Sequence, residues 1–199
     1  MTTHLENLLR VAETNGLVRA RDLAEHGIPR QYLSIARERG LLERLDRGLY
    51  ALPGAIRTEH RSLVEVCKLV PHGVICLLSA LQFHGMTTQN PFEVWLAIGE
   101  SKEIPRLSLV KLRIARFSAK SLKAGLETHD VDGAELRVFS AAKTVADCFK
   151  YRNKIGVDVA VEALREYLRQ RKGPIDDLTK YARVCRVKRV MEPYLEALL

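Results

Sequence analysis

Between Thr3 and Ala51, apolar side chains recur at helical spacing in three short runs, each stopped by a glycine, and this punctuation leaves few folds open. Thr3-His4-Leu5-Glu6 fits a capping box, in which the Thr hydroxyl and the Glu carboxylate satisfy each other's free amides at a helix start. Leu5, Leu8, Leu9 and Ala12 then follow at i, i+3, i+4 and i+7, so the first helix carries one apolar stripe as far as Gly16. A second, shorter helix is predicted over about Ala20 to His26, ended by a left-handed Gly27. Pro29 stands where a third should begin, with Leu33 and Ala36 facing inward before Gly40. Only a few residues separate helices two and three, which is the spacing of a helix-turn-helix with the third helix as reader. LLERLDRGLYAL then predicts a hairpin around Asp46-Arg47-Gly48, with Gly48 supplying the positive φ of the loop. Three helices and a hairpin make a winged helix-turn-helix.

Pro53-Gly54 interrupts the pattern and places a domain boundary at about Ala55, dividing the chain into a DNA-binding domain, 1–55, and a second domain, 56–199. In the second, helical periodicity runs through Leu63, Val66 and Val70 and again through Leu77, Leu78 and Leu81. Strands are predicted over Glu93 to Ile98, over Leu109 to Arg116, and on either side of the turn dipeptide Asp132-Gly133. From Ser140, a good N-cap, the chain reads as helical to its end. The fold class is therefore α+β: a winged helix-turn-helix, then a domain with a small, mainly antiparallel sheet and C-terminal helices.

The chain carries 32 Lys and Arg against 24 Asp and Glu, a net charge of +8, which makes a polyanion a plausible partner. Residues 1–56 hold 8 basic and 7 acidic groups, so bulk charge does not single out the N-terminal end, and placement has to carry the argument. No apolar stretch is longer than Val74 to Leu78, which is far short of a membrane span, and the opening residues lack the unbroken apolar segment of a signal peptide. Cys67, Cys76, Cys148 and Cys185 form no metal-binding spacing and lie among apolar neighbours, which points to reduced, structural thiols and a cytoplasmic location.

On the third helix, Arg30, Ser34 and Arg37 fall on one uncommitted face, flanked by Gln31. Arg and Gln donate to guanine and adenine edges in the major groove, and Ser bonds a base or a phosphate; a merely solvated face is the alternative. Arg44 and Arg47 occupy the wing, where phosphate or the minor groove is reached, with pairing to Glu43 or Asp46 the alternative for Arg44. Arg19 and Arg21 open helix two near the expected backbone path. Lys150, Arg152 and Lys154 interleave with Phe149 and Tyr151, a pattern that suits nucleic-acid stacking or, equally, a cationic helix end. No zinc-protease, phosphate-loop or dinucleotide motif occurs. Asp130, Asp132 and Glu135 loosely suggest a nuclease metal site, but the Asp-Gly dipeptide is better explained as a turn. No catalytic residue, metal or cofactor is expected.

GIPRQYLSIARERGLLERLDRGLYAL resembles the winged helix-turn-helix that opens AbiEi-type antitoxins of type IV toxin–antitoxin and abortive-infection systems. VICLLSALQFHGMTTQNPFEVWLAI and SAAKTVADCFKYRNKIGVDVAVEALREYLR are similar to the second domain of that family. The resemblance implies a repressor that binds inverted repeats in its own promoter and counteracts an AbiEii-type nucleotidyltransferase toxin without needing a stable complex with it. It puts the reader role on Arg30, Gln31, Ser34 and Arg37 and the wing role on Arg44 and Arg47. Lys150, Arg152 and Lys154 are the chosen antitoxin surface. The competing reading is a stand-alone winged-helix regulator whose second domain binds an effector or a partner.

Overall fold

The computed structural model describes residues 3–54, 60–105, 107, 110–131 and 134–199. The domain boundary at Ala55 and the Asp132-Gly133 turn lie outside the described residues. The chain divides into two compact units: residues 1–71 with 105–111 and 129–136, and residues 72–104, 112–128 and 137–199.

In the first unit, helix α1 (His4–Asn15) starts at the capping box read from the sequence, Thr3 Oγ1 accepting from Glu6 N and Glu6 Oε2 from Thr3 N. A single 3-10 turn, Asp22–His26, stands where the second helix was expected, closed by left-handed Gly27. Helix α2 (Gln31–Glu38) follows, then strands β2 (Glu43–Asp46) and β3 (Leu49–Ala51) joined through Gly48 at φ +77°. A strand absent from the sequence reading, β1 (Leu17–Arg19), pairs antiparallel with β3, giving the sheet order β1-β3-β2. Arg19 therefore ends a strand and Arg21 precedes the 3-10 turn; neither opens a helix, because pairing with β3 captures the chain after Gly16. Leu8, Ala12, Val18, Leu23, Leu33 and Ala36 meet in the core, so the first and third runs bury the stripes that their spacing predicted, whereas in the second, where Ala20, Leu23 and Ala24 were expected inward, Leu23 is buried, Ala20 half-buried and Ala24 exposed. Helix α3 (Arg61–Leu69) completes the unit and packs against β1.

The second unit is built on a five-stranded sheet of order β6-β5-β4-β8-β7, with β4 Val74–Ile75, β5 Val94–Gly99, β6 Leu112–Phe117, β7 Leu126–Val131 and β8 Ala134–Phe139, although residues 129–131 of β7 and 134–136 of β8 are counted with the first unit. Strand β4 runs antiparallel to β5, whereas β5 with β6 and β4 with β8 are parallel. The α+β class holds, but the sheet mixes directions where a mainly antiparallel one was expected. Direction follows from the long connections between paired strands, which local hairpin signals cannot register. Short helices α4 (Leu77–Phe83) and α5 (Ala119–Lys123) flank the strands. Helices α6 (Ala141–Lys150), α7 (Arg152–Ile155), α8 (Val157–Arg169), α9 (Ile175–Cys185) and α10 (Lys188–Glu196) finish the chain, α6 starting at Ser140, whose hydroxyl accepts from Lys143 N.

Helix α6 is buried along nine of its ten residues, and it carries Lys143 and Asp147, fully enclosed, into the core. The two side chains form an ion pair one helical turn apart. Lys143 Nζ also lies 4.2 Å from the centre of the Phe139 ring and 4.9 Å from that of Phe117, and Cys185 Sγ donates to Asp147 Oδ1 at 3.1 Å. Gly125, at φ +66°, leaves room for this arrangement, since a Cβ there would lie 2.7 Å from that of Lys143. Burial of this kind is tolerated only because every polar atom of the pair is answered.

Candidate nucleic-acid interface

Helix α2 turns Leu33 and Ala36 into the core of the first unit, which leaves Gln31, Ser34 and Arg37 exposed on the opposite side and Arg30 exposed at its N-cap. The expected stripe is thus real and solvent-facing. Arg30, Gln31, Ser34 and Arg37 have no side-chain hydrogen bond or ion pair among the described residues, so their donors are available to a partner.

The wing is fixed by its own polar atoms. Asp46 Oδ1 accepts from Arg47 N, the next residue, at 2.6 Å, which helps to fix the loop before Gly48. Arg44 Nε donates to the Asp46 carbonyl at 3.2 Å, so Arg44 braces the turn through the backbone, while Glu43 lies 3.6 Å from Arg61 on α3. The Arg47 guanidinium extends from the tip with no partner among the described residues.

Arg19 Nε donates to Asp22 Oδ2 at 2.8 Å and its Nη1 to the Lys68 carbonyl at 2.8 Å, tying the end of β1 to the end of α3. Arg21 lies 3.7 Å from the other oxygen of Asp22 and is mostly exposed. Ala20 N donates to the Gly48 carbonyl at 2.8 Å, which locks the wing turn against the strand-to-turn junction. These connections bring four arginines that are distant in sequence, Arg19, Arg21, Arg30 and Arg47, around one cleft of about 380 Å³. Its remaining lining is apolar or small: Ala20, Gly48 and Leu69. The sequence reading named all four arginines but had no signal for the cleft, because Leu69 and Ala20 carry no chemistry that would single them out.

In the second unit, Lys150 and Lys154 are exposed and Arg152 is half-buried, its Nη1 donating to the Phe149 carbonyl at 2.9 Å. The aromatic rings between them are committed elsewhere. Phe149 is fully buried, and Tyr151 stacks on Phe117 at 5.4 Å and donates its hydroxyl to the Arg116 carbonyl at 2.7 Å. Burial pushes the Tyr151 hydroxyl well above its ordinary range, so it stays a donor. What this segment presents to a partner is charge rather than stacking surface.

Two polar residues that could suggest a hydrolase serve the fold instead: Ser79 Oγ accepts from Trp95 N at 3.0 Å, and His84 Nε2 is hydrogen-bonded to the Phe139 carbonyl at 2.7 Å. Among the described residues no three His, Cys, Asp or Glu side chains gather as a metal site would require, and no helix is long and apolar enough to cross a membrane.

No curated protein matches the chain. Residues 6–53 match the family model described as transcriptional regulator, AbiEi antitoxin. That segment holds most of α1, the 3-10 turn, α2 and the wing, and with them every arginine of the interface described above. Through residues 6–53 the chain is similar to the AbiEi antitoxin transcriptional regulators, the family that its sequence resembles.

Proposed function

We propose that this protein is a cytoplasmic repressor of its own promoter, binding inverted repeats through the N-terminal unit, and that its second unit counteracts an AbiEii-type nucleotidyltransferase toxin. The observation that carries the first half is the unpartnered polar face of α2 beside an arginine-lined wing, in a segment that matches a transcriptional-regulator family. In this reading Arg30, Gln31, Ser34 and Arg37 on and before α2 serve as the reader face, and Arg44, Arg47, Arg19 and Arg21 meet the backbone. The division of labour follows residues 1–55 for DNA and 56–199 for the antitoxin role. The exposed cations Lys150 and Lys154, with Arg152, form the surface for the second role. The chain acts by binding and not by catalysis.

The test uses the full chain. A reporter driven by the region upstream of the gene should be repressed, and cells expressing the neighbouring nucleotidyltransferase-like gene should be rescued by the same chain. Lys150→Glu with Arg152→Glu should abolish rescue while repression persists. The alternative reading is a stand-alone winged-helix regulator whose second domain binds an effector or a partner. Repression without rescue by the wild-type chain would select it.

A further inference from the structure

The four arginines around the cleft are not equivalent. Arg19 is held on two sides, by Asp22 and by the Lys68 carbonyl, and Asp22 also lies 3.7 Å from Arg21. Arg21, Arg30 and Arg47 line the same 380 Å³, and Arg30 and Arg47 have no anionic partner among the described residues. Three cationic side chains lining one space, two of them without an anionic partner among the described residues, make a favourable place for an anion. A base edge does not fit that requirement, because guanine offers neutral acceptors that one bidentate arginine satisfies. A phosphate ester fits it: it is anionic, and its free oxygens accept paired donors from several arginines at once.

We infer that the cleft is a phosphate-ester site formed by Arg21, Arg30 and Arg47, and that Arg30 contacts phosphate and not a base. The inference rests on the DNA-binding reading and refines it, since the sequence alone groups Arg30 with the readers. The cleft is also larger than one phosphate needs. Its volume lies within the range of roughly 300–1,000 Å³ typical of small-molecule sites, and Leu69 and Ala20 offer an apolar floor for a sugar or a base. The ester therefore has two sources, a backbone phosphodiester of bound duplex or a free nucleoside phosphate.

The experiment measures fluorescence anisotropy of the full chain with labelled operator and labelled scrambled duplex across a salt series, for wild type, Arg30→Ala and Arg37→Ala, each shown folded by thermal melting. Arg30→Ala should weaken both duplexes by the same factor, about tenfold, and reduce the salt slope by about 1. Arg37→Ala should instead shrink the ratio between operator and scrambled duplex. Arg30→Ala behaving like Arg37→Ala, or leaving both affinities unchanged, overturns the inference. ATP is the free probe, with adenosine and sulfate at matched ionic strength as controls. Displacement of duplex by ATP alone assigns the site to free nucleotides as well. No displacement, together with the uniform loss in Arg30→Ala, assigns it to the duplex backbone. If the wild type does not distinguish operator from scrambled duplex, the repressor reading fails, while the scrambled-duplex arm still decides the phosphate site.

Discussion

Lys143→Met places a side chain of similar length and no charge in the core, and it leaves the fully buried Asp147 without its counter-ion. Breaking a buried pair from one side costs about 3–5 kcal/mol, because the surviving charge keeps its desolvation penalty. Against a typical total of about 5–15 kcal/mol, that is a large share of the stability, and it corresponds to a fall of about 6–20 °C in melting temperature for a chain of this size. Lys143→Met with Asp147→Leu removes both charges and should cost far less, since a well-packed apolar replacement of a buried pair is often neutral. The pH dependence gives an independent check. Burial already raises the Asp147 carboxyl above its ordinary value, with the Lys143 ammonium opposing that rise. Without Lys143 the opposition is gone, so the folded variant binds a proton at a higher pH than its unfolded chain does. The stability linked to that proton is complete below about pH 4 and is lost as pH rises through the folded value. The gap between wild type and Lys143→Met should therefore be widest near pH 7 and should narrow on acidification. Urea unfolding followed by near-UV circular dichroism measures both effects. A single-variant cost under about 1 kcal/mol, or a gap that widens toward pH 4, would refute the account of this pair.

Glu166 accepts from Arg169 and Gln170, and these bonds hold its carboxyl down to about 2. Its contribution to stability is present above the ordinary carboxylate range and is lost as pH falls toward 2; carboxyl NMR should show the depressed midpoint in wild type and its return toward about 4.3 in Arg169→Ala. All four cysteines are buried thiols outside any disulfide, and burial raises the Cys185 thiol to about 12, so a thiol reagent at pH 8 should label none in the native chain and four in denaturant. Gly125→Ala should destabilise the chain, because the position has φ +66° and its added Cβ meets Lys143; a melting temperature equal to wild type would contradict the close packing there.

Local signals carried most of the N-terminal unit. The Thr3–Glu6 capping box, the glycine at Gly27 and the turn at Gly48 each bond within a few residues, so spacing in the sequence is enough to read them. Strand β1 escaped because three residues offer no period to detect, and it exists only through its pairing with β3. Strand direction in the second unit was hidden for the same reason, being set by partners such as Ile75 and Val138, far apart in the chain. The Lys143 and Asp147 pair had a faint signature, two charges four residues apart in a run otherwise made of small and apolar residues. The arginines of the interface were legible one by one, but their convergence depends on the Ala20 to Gly48 hydrogen bond and the Arg19 tie to α3.

The most direct test of the central claim is the affinity of the full chain for its own upstream region and for a scrambled duplex of equal length, measured between 50 and 200 mM salt. Specific complexes are typically about 10³–10⁷ times tighter than non-specific ones. The account predicts a preference within that range and an affinity that falls steeply as salt rises, because the arginine face displaces counterions from phosphate. Equal affinity for the two duplexes, or an affinity that does not change across the salt range, would contradict it.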